Sequence, residues 1–265
     1  MNIAGKTFVV TGSGAGIGRE VTLELIRRGA RVAGIDVNKA GLAETATLAG
    51  VGKDTFLPLV ADITNRRTVM GLPAKVDKAL GPVDGLINVA GIIQPFVRIN
   101  DLEFDAIDRV MAVNFFGPTN LIKAFLPGLL ARPEAHLANV SSMGSYAPVP
   151  GQTLYGASKA AINLLSEGLR SELKGTNVAV TVIYPGAIGT NIAENSGLHM
   201  EMPADAPERK VTPPADAGRE IVDAVEHAKK RIVIGSDAKA MWAMNRVHPD
   251  LAANMIYQGM KDLLD

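Results

Sequence analysis

Short apolar runs rich in β-branched residues alternate with longer stretches of helical periodicity along the whole chain. Each run is almost continuously apolar, which is typical of a strand in a parallel sheet that is covered on both faces. Parallel strands joined through helices need right-handed crossovers, so the pattern predicts a doubly wound α/β sheet of about seven parallel strands. The predicted strands are Lys6–Thr11, Ala30–Asp36, Thr55–Asp62, Val83–Ala90, His136–Ser141, Val178–Tyr184 and Arg231–Gly235.

The stretches between these strands predict helices on both faces of the sheet. We find no linker, repeat or low-complexity segment between them, and 265 residues suffice to build one core. We therefore expect a single domain over residues 1–265. The predicted helices are Ile17–Arg28, Lys39–Ala49, Asn65–Leu80, Leu102–Ala131, Leu154–Lys174 and Ala215–Lys229.

The composition excludes several kinds of site and partner. The chain has no cysteine, hence no disulfide and no catalytic thiol, and its four histidines show no metal-ligand spacing. Because 27 basic side chains balance 27 acidic ones, no overall field draws the chain to nucleic acid or an anionic membrane. We see no secretory signal and no run of the roughly 20 apolar residues that span a bilayer. We expect a soluble, cytoplasmic protein without a metal.

A glycine-rich turn, Thr11–Gly18, joins the first predicted strand to the first predicted helix. Gly12, Gly16 and Gly18 allow a tight turn and let the backbone come close to a pyrophosphate. The helix that follows offers unpaired N–H groups and a partial positive charge to the same anion. The turn, with the spacing GxxxGxG, therefore predicts a dinucleotide site near the start of the chain.

Asp36 ends the second predicted strand, 18 residues after Gly18. A carboxylate at such a place accepts hydrogen bonds from the ribose 2′-hydroxyl of an adenosine and repels a 2′-phosphate, so it favours NAD(H) over NADP(H). Arg19 and Lys39 are the two basic residues that stand near enough in sequence to meet a phosphate instead. The prediction is NAD, with NADP as the less favoured alternative.

Tyr155 and Lys159 stand at positions i and i+4 of a predicted helix, and therefore on one face. A free phenol has a pKa of about 10, and a neighbouring ammonium lowers that pKa towards neutrality. Such a phenol can exchange a proton with a substrate oxygen. Ser142 lies at the end of the fifth predicted strand and can hydrogen-bond to the same oxygen. The neighbouring Ser141 is the second choice for this role.

Taken together, these motifs resemble the short-chain dehydrogenase/reductase family, in its single-domain branch, over nearly the whole chain. That resemblance implies a Rossmann fold and an oxidoreductase that interconverts a secondary alcohol and a ketone. Val89 departs from the family pattern, which has a second asparagine at that position. The motifs are TGxxxGxG at Thr11–Gly18, Asp62, Asn88-Val89-Ala90-Gly91, Asn114, Ser142, YxxxK at Tyr155–Lys159 and Pro185-Gly186-Ala187-Ile188-Gly189-Thr190.

The resemblance also implies a role for each matching residue. Tyr155 would be the general acid/base, Lys159 would hold the nicotinamide ribose, and Ser142 would orient the substrate oxygen. Asn114 would hold a water in a proton relay. The residues implied to bind the cofactor are Gly12, Ser13, Gly14, Gly16, Ile17, Gly18, Asp36, Asp62, Ile63, Asn88, Ala90, Gly91, Tyr155, Lys159, Pro185, Gly186, Ile188 and Thr190.

The substrate is expected to be medium-sized and mainly apolar, because the positions implied to meet it are mostly apolar. A proline-rich stretch at residues 190–214 follows a strand end and is interpreted as a substrate lid. The family also implies a homotetramer or homodimer. The implied substrate positions are Ser142, Met143, Gln152, Tyr155 and Ala187, then Ile93, Gly144 and Pro148, with Leu198, Met200 and Met202 of the lid.

Other classes remain open at this point. A nucleotide-sugar epimerase or dehydratase would carry a larger C-terminal substrate domain. A non-catalytic NAD-binding sensor would not need Asn114, Ser142, Tyr155 and Lys159, all of which are present.

Overall fold

Seven parallel strands form one sheet in the order β3-β2-β1-β4-β5-β6-β7. The computed structural model describes residues 1–147, 149–198 and 211–260. The sheet agrees with the predicted doubly wound Rossmann fold in strand number and direction. The strands are β1 Thr7–Thr11, β2 Arg31–Asp36, β3 Phe56–Val60, β4 Gly85–Asn88, β5 Ala135–Val140, β6 Val178–Pro185 and β7 Arg231–Ile234.

Helices cover both faces of this sheet. The described residues form α1 Gly16–Arg27, α2 Lys39–Ala49, α3 Arg66–Met70, α4 Leu72–Leu80, α5 Phe104–Met111, α6 Gly117–Leu130, α7 Thr153–Glu172, α8 Ile192–Asn195, α9 Pro214–Glu226, α10 Ser236–Val247 and α11 Pro249–Met260.

Strand β1 shows how the two apolar layers form. Val9 belongs to the layer that packs under α4, α6 and α7. Phe8 and Val10 belong to the opposite layer, which packs under α1, α2 and α9. Side chains along a strand point alternately to its two faces, and here both faces are apolar because both are buried. The nearly continuous apolar runs in the sequence have this origin.

Strand order reverses between β1 and β4, and the following segments leave the sheet on opposite faces there. In open α/β sheets the crevice at such a switch point, beyond the carboxyl ends of the strands, is where ligands bind. The glycine-rich turn follows β1 and the Asn88–Gly91 segment follows β4. Both therefore lie at that crevice.

Two long predicted helices are interrupted. Residues 65–80 form α3 and α4, because Pro73 has no N–H to continue the helical ladder across Gly71. Residues 102–131 form α5 and α6, with a π-helical turn at Ala112–Phe116 between them. In an unbroken α-helix, the N–H of residue 118 would bond to the carbonyl of Asn114. Residue 118 is a proline, so that bond is not formed.

The sequence did not predict the last two helices. In α10, the Trp242 ring packs edge-to-face on Tyr146, with ring centroids 4.9 Å apart, and lies 4.8 Å from the Tyr184 ring. Arg246 lies over the other part of the same indole, 4.3 Å from its centroid. These contacts bring α10 against the loop that follows β5.

Candidate active site

A cavity of about 770 Å³ opens at the carboxyl ends of β1 to β4, at the switch point of the sheet. Eleven of the residues predicted to bind a cofactor line it: Gly12, Gly14, Gly16, Ile17, Gly18, Asp36, Asp62, Ile63, Ala90, Gly91 and Thr190. Helix α8 contributes Ile192, Glu194 and Asn195 to the wall of this cavity, and α5 contributes Arg109.

The glycine turn is held in a shape that side chains would prevent. Gly12 has φ +71°, and a Cβ there would lie 3.1 Å from the backbone of Ala90 on the neighbouring strand segment. A Cβ at Gly18 would collide with the carbonyl oxygen of Gly12. The turn consequently has bare backbone facing the cavity at the start of α1. This is the geometry that binds a pyrophosphate.

Asp36 is fixed by two backbone groups. One carboxylate oxygen accepts from the Gly14 N–H at 2.9 Å, and the other accepts from the Asn38 N–H at 2.9 Å. The carboxylate lines the cavity beside the glycine turn, where it was predicted to lie. The Asp36 carboxylate therefore places a negative charge at the end of β2, next to the backbone of the glycine turn.

Arg19 does not extend into the cavity. Its guanidinium bonds to the Glu44 carboxylate at 2.6 Å, to the Thr45 hydroxyl at 3.1 Å and to the Gly14 carbonyl. These contacts engage Nε and Nη2 and direct the guanidinium towards α2, and Arg19 is not among the residues that line the cavity. Lys39, the other basic residue considered, is exposed at the start of α2 and does not line the cavity.

Tyr155 and Lys159 share a face of the first turns of α7, as predicted. The ammonium lies 5.9 Å from the centroid of the phenol ring. Lys159 is 4% exposed and donates one hydrogen bond, 3.1 Å long, to the Val140 carbonyl at the end of β5. The ammonium has two further N–H groups, so it can bind ligand hydroxyls as well.

The two serines after β5 have different partners. The buried Ser141 hydroxyl donates to the Lys159 carbonyl at 2.8 Å and so fixes α7 to the strand end. Ser142 is half-buried, and its Oγ accepts from the Gly144 N–H at 3.0 Å. A Cβ at Gly144 would lie 3.5 Å from both Ser142 Oγ and the Tyr155 ring, so these two side chains flank that glycine. This geometry favours Ser142 over Ser141 as the partner of Tyr155.

The pKa values differ from the expectation for the pair. Burial raises the pKa of Tyr155, and a hydrogen bond with Ser142 offsets only part of that rise. Burial also lowers the pKa of Lys159 to about 8. The Tyr155 pKa is therefore not lowered, contrary to the expectation, because burial of the phenol outweighs the opposing hydrogen bond with Ser142. Lys159 still carries its charge at neutral pH.

Asn114 lies in the π-helical turn and is 1% exposed. Its side chain binds both backbone groups of Ile92, accepting from the N–H and donating to the carbonyl at 2.9 Å each. It also donates to Ser158 Oγ at 3.0 Å. A Cβ at Gly91 would lie 2.9 Å from Lys159 Nζ and 3.2 Å from Asn114 Oδ1. The predicted Asn114 and Lys159 thus meet at Gly91.

Several predicted cofactor residues lie outside the cavity wall. The buried Ser13 hydroxyl bonds to the Val10 carbonyl, and Asn88 Nδ2 bonds to Asn139 Oδ1 within the sheet. Asn88 Oδ1 is buried without a partner in the described part of the chain. These two side chains support the strand ends rather than face the cavity. Tyr155, Lys159, Pro185, Gly186 and Ile188 are likewise not among the residues that line it.

The predicted substrate residues lie on separate segments of the chain. Met143 and Gly144 form the turn after Ser142, and Ala187 is exposed beyond β6. Gln152 is buried, and its Nε2 donates to the Gln94 carbonyl at 2.7 Å. Leu198 is half-buried and ends the described part of the lid. Pro148, Met200 and Met202 lie outside the described residues.

Arg109, Glu194 and Asn195 of the cavity wall were not predicted. Three further polar residues that support the site were also missed. Gln94 caps the start of α7, Ser196 bonds to the Ile93 N–H at 3.0 Å, and Asp237 accepts from the Ala187 N–H at 2.7 Å. Each makes its contact to backbone far away in sequence. No motif or periodicity marks such a contact, so the sequence carries no signal for it.

These features fit a nicotinamide dinucleotide. The glycine turn leaves a cradle that any Cβ would fill, Asp36 provides a carboxylate beside it, and Lys159 has N–H groups to spare at the other end. Among the described residues, no group of three or more His, Asp or Glu side chains could hold a metal ion. Within the same residues, every helix is too short or too polar to cross a membrane.

Known proteins resemble this chain in sequence and fold. The family model described as short chain dehydrogenase matches residues 6–201. SadH of Mycobacterium tuberculosis, which is named as an oxidoreductase, is 34% identical over 251 residues, covering 92% of this chain and 91% of SadH.

Two solved structures share the fold. A short chain dehydrogenase from Burkholderia cenocepacia J2315 in complex with NADP superposes with a TM-score of 0.82 at 25% identity, over 97% of this chain and 99% of that one. A short chain dehydrogenase/reductase from Burkholderia phymatum in complex with NAD gives 0.84 at 22% identity, over 95% and 96%.

Proposed function

The chain belongs to the short chain dehydrogenase family, and we propose that it is an NAD(H)-dependent oxidoreductase that interconverts a secondary alcohol and a ketone. The observation that carries this proposal is the convergence of Tyr155, Ser142 and Lys159 beside the dinucleotide cavity. A nicotinamide cofactor, when bound, supplies the hydride acceptor or donor. The protein's own residues manage the proton.

In the proposed mechanism, the Tyr155 hydroxyl donates its proton to the carbonyl oxygen during reduction and takes it back from the alcohol during oxidation. Ser142 Oγ lies beside the same ring and orients the substrate oxygen by a hydrogen bond. Lys159, still charged at neutral pH, stabilises the phenolate that forms when the proton leaves. Its spare N–H groups are suited to hold the nicotinamide ribose.

Asn114 is proposed to anchor the proton relay. Pro118 leaves the Asn114 carbonyl without its α-helical partner, so that oxygen can accept from a water molecule. The side chain is bonded to Ile92 and Ser158, so we assign this role to the main-chain carbonyl. The relay would run from this water through Lys159 to Tyr155.

The preference for NAD is supported by two contacts. The Asp36 carboxylate is fixed beside the glycine turn, where it would repel a 2′-phosphate. Arg19 is paired with Glu44 and directed towards α2, outside the cavity wall. Family members of known structure include one in complex with NAD and one in complex with NADP, so membership alone does not select the cofactor.

The substrate is proposed to be a medium-sized, mainly apolar alcohol or ketone. Met143 follows Ser142 directly, and Ala187 and Leu198 are the other apolar residues proposed to meet the substrate. Gln152 was counted as a hydrogen-bonding substrate residue, but its Nε2 is engaged with Gln94. Gln152 Oε1 has no partner among the described residues, so the polar groups proposed to meet a substrate are Ser142, Tyr155 and this amide oxygen.

A panel of chemically diverse alcohols and ketones, followed by NADH absorbance, tests the proposal. We expect Tyr155→Phe to lower kcat by about 10²- to 10⁴-fold, because it removes the transferable proton, while NADH binding stays within twofold. The matched control is Tyr257→Phe on the exposed face of α11, which should behave as the wild type. Full turnover by Tyr155→Phe would contradict the mechanism.

The same assays decide the cofactor and the leading alternative. Wild type should bind NADH more tightly than NADPH, and Asp36→Ala should reduce the difference between these two affinities. Tighter NADPH binding by wild type would overturn the NAD preference. If wild type binds NADH but turns over none of the carbonyls, the chain is a non-catalytic sensor instead.

A further inference from the structure

Three consecutive residues in the loop after β4, Ile92, Ile93 and Gln94, bind three separate parts of the site. Ile92 is held on both backbone groups by Asn114. Ile93 donates its N–H to Ser196 Oγ, at the end of the lid helix α8. Gln94 binds the start of α7. The segment therefore joins the π-helical turn, the lid and the catalytic helix, and Gln94 is the member that reaches Tyr155.

The Gln94 side chain caps α7. It is 1% exposed, and its Oε1 accepts from the Leu154 N–H at 2.8 Å and the Tyr155 N–H at 3.0 Å. Its Nε2 donates to the Gly151 carbonyl at 2.9 Å. The first N–H groups of a helix have no partner within the helix, and the residue that precedes α7, Gln152, provides no side-chain cap. The side chain of Gln94, some 60 positions earlier in the chain, caps these N–H groups instead.

The contact is reciprocal. Gln152 Nε2 donates to the Gln94 carbonyl at 2.7 Å, and Gln152 is also buried. Gln94 therefore uses its carbonyl and both ends of its amide on the short stretch from Gly151 to Tyr155. Two buried amides hold the start of α7 against the loop after β4.

We propose that Gln94 is a positioning residue for Tyr155, which rests on the acid/base role proposed for that tyrosine. Ser142 belongs to the loop after β5, whereas Tyr155 lies in the first turn of α7. The distance between their hydroxyls therefore depends on how the start of that helix is held. Gln94 fixes the Tyr155 backbone nitrogen directly. Without this cap, the first turn would fray, since a helix end is the part that opens most easily.

Gln94→Leu tests the proposal, because leucine has a similar size but cannot accept the two N–H bonds. A small misplacement of a reacting group is costly, so kcat should fall roughly ten- to hundredfold. The KM for NADH should stay within about twofold, since Gln94 does not line the dinucleotide cavity. The Leu154 and Tyr155 amides should also exchange hydrogen faster than in wild type, a readout that requires no substrate.

Gln94→Glu is the conservative rescue. One carboxylate oxygen retains both acceptor bonds, so the two amides should stay protected. The other oxygen replaces the donor to Gly151 and faces that carbonyl, which costs some stability. Most of the lost kcat should return. The new negative charge beside Tyr155 should move the pH profile of kcat to higher pH, because it disfavours the phenolate. If Gln94→Leu fails to fold, Gln94→Glu decides the question. The proposal is overturned if the two amides of Gln94→Glu exchange slowly while its kcat is low and the pH profile of kcat is unshifted.

Asn177→Ala is the matched control for lost stability. Asn177 is a half-buried amide that bonds to the Leu129 and Arg132 carbonyls at the opposite end of the sheet. It should lower the thermal midpoint and leave kcat unchanged. Wild-type turnover by Gln94→Leu would refute the positioning role, as would an equal loss in Asn177→Ala. Tyr155→Phe is run in parallel: if it is fully active, the proposed function is what fails, and not the role of Gln94.

Discussion

Lys159 illustrates how a functional side chain can destabilise its own protein. The ammonium is 4% exposed, its one hydrogen bond goes to a carbonyl, and burial lowers its pKa to about 8 from an ordinary 10.5. At neutral pH the folded chain therefore carries a charge that the interior disfavours. Between pH 8 and 10.5 the folded chain loses that proton while the unfolded chain keeps it. The unfolded state then binds more protons, so this group makes stability rise with pH through that window.

Lys159→Met should remove this cost along with the activity. At pH 7 we expect the free energy of unfolding to increase by on the order of 1–3 kcal/mol, and the gain to shrink as pH approaches 10. Urea unfolding of wild type and Lys159→Met from pH 7 to 10 measures the difference in their free energies of unfolding. The other titrating groups are common to both proteins and cancel in that difference. Lys75→Met, on the exposed side of α4, is the control and should give no pH-dependent gain. A Lys159→Met protein that is less stable at pH 7 would contradict the argument.

At the residue level, the sequence predicted groups that are defined by motifs and missed those that are defined by long-range contacts. The glycines, Asp36, Tyr155 and Lys159 stand at fixed spacings along the chain. The structure places the glycines and Asp36 in the cavity wall and Lys159 beside Gly91. Gln94 was missed because its cap joins residues about 60 positions apart. The pKa of Tyr155 was misjudged for a related reason, since burial depends on the whole fold.

At the level of elements, α1 and α9 form the most extensive contact between helices. Arg28, at the end of α1, bonds to Glu24 on its own helix and to Asp223 and Glu226 on α9, with distances of about 2.7 Å. Its side chain is 18% exposed. The pKa of Glu24 is lowered by hydrogen bonds with Arg27, then Arg28, against the opposing effect of burial. This part of the stability is present above the ordinary pKa of 4.5 and is lost as pH falls through the lowered value.

Arg28→Met should therefore cost about 1–2 kcal/mol in the free energy of unfolding, because two carboxylates on α9 and one on α1 lose a charged donor. Urea unfolding at pH 7 measures the loss. Arg27→Met is the matched control, since Arg27 is 67% exposed and pairs with Glu24 alone, so its loss should stay within about 0.5 kcal/mol. If both variants lost the same free energy of unfolding, the bonds from Arg28 to α9 would contribute nothing to stability.

The strands were predictable because both faces of the sheet are buried. The helices between them were predictable because they are amphipathic. The interruptions were not. Each coincides with a proline near the start of the second helix, Pro73 in α4 and Pro118 in α6. Proline is also tolerated at the start of a helix, so its presence alone does not say whether one helix bends or two helices meet. In the part of the chain that the structure describes, no strand follows α10 or α11, so the alternation of strands and helices did not predict them.

For the molecule as a whole, exposed apolar side chains on neighbouring elements support the expected self-association. Phe104 in α5 is 82% exposed, Phe116 in the π-helical turn 52%, and Leu164 in α7 73%. Large apolar groups that share a region of the surface are typical of a protein interface. A homotetramer or homodimer built through these helices remains our proposal.

Leu164→Glu should break such an assembly, because it places a charge in an apolar contact. Light scattering at fixed protein concentration should give a smaller mass than for wild type. Leu48→Glu, on the exposed face of α2 and 58% exposed, is the matched control and should leave the mass unchanged. A monomeric wild type would refute the proposal outright.

The pairing of α1 with α9 also has a consequence for biosynthesis. The apolar layer over β1 is closed by residues such as Ile221 and Val222, which lie about 195 positions after Arg28. At typical elongation rates of about 5–20 residues per second, a ribosome needs about 10–40 s to add them. For that time Val21 and Leu25 of the nascent chain lack their partner. We expect the earliest βα unit to depend on chaperones until α9 emerges, and chains that terminate before residue 214 to be degraded or to aggregate.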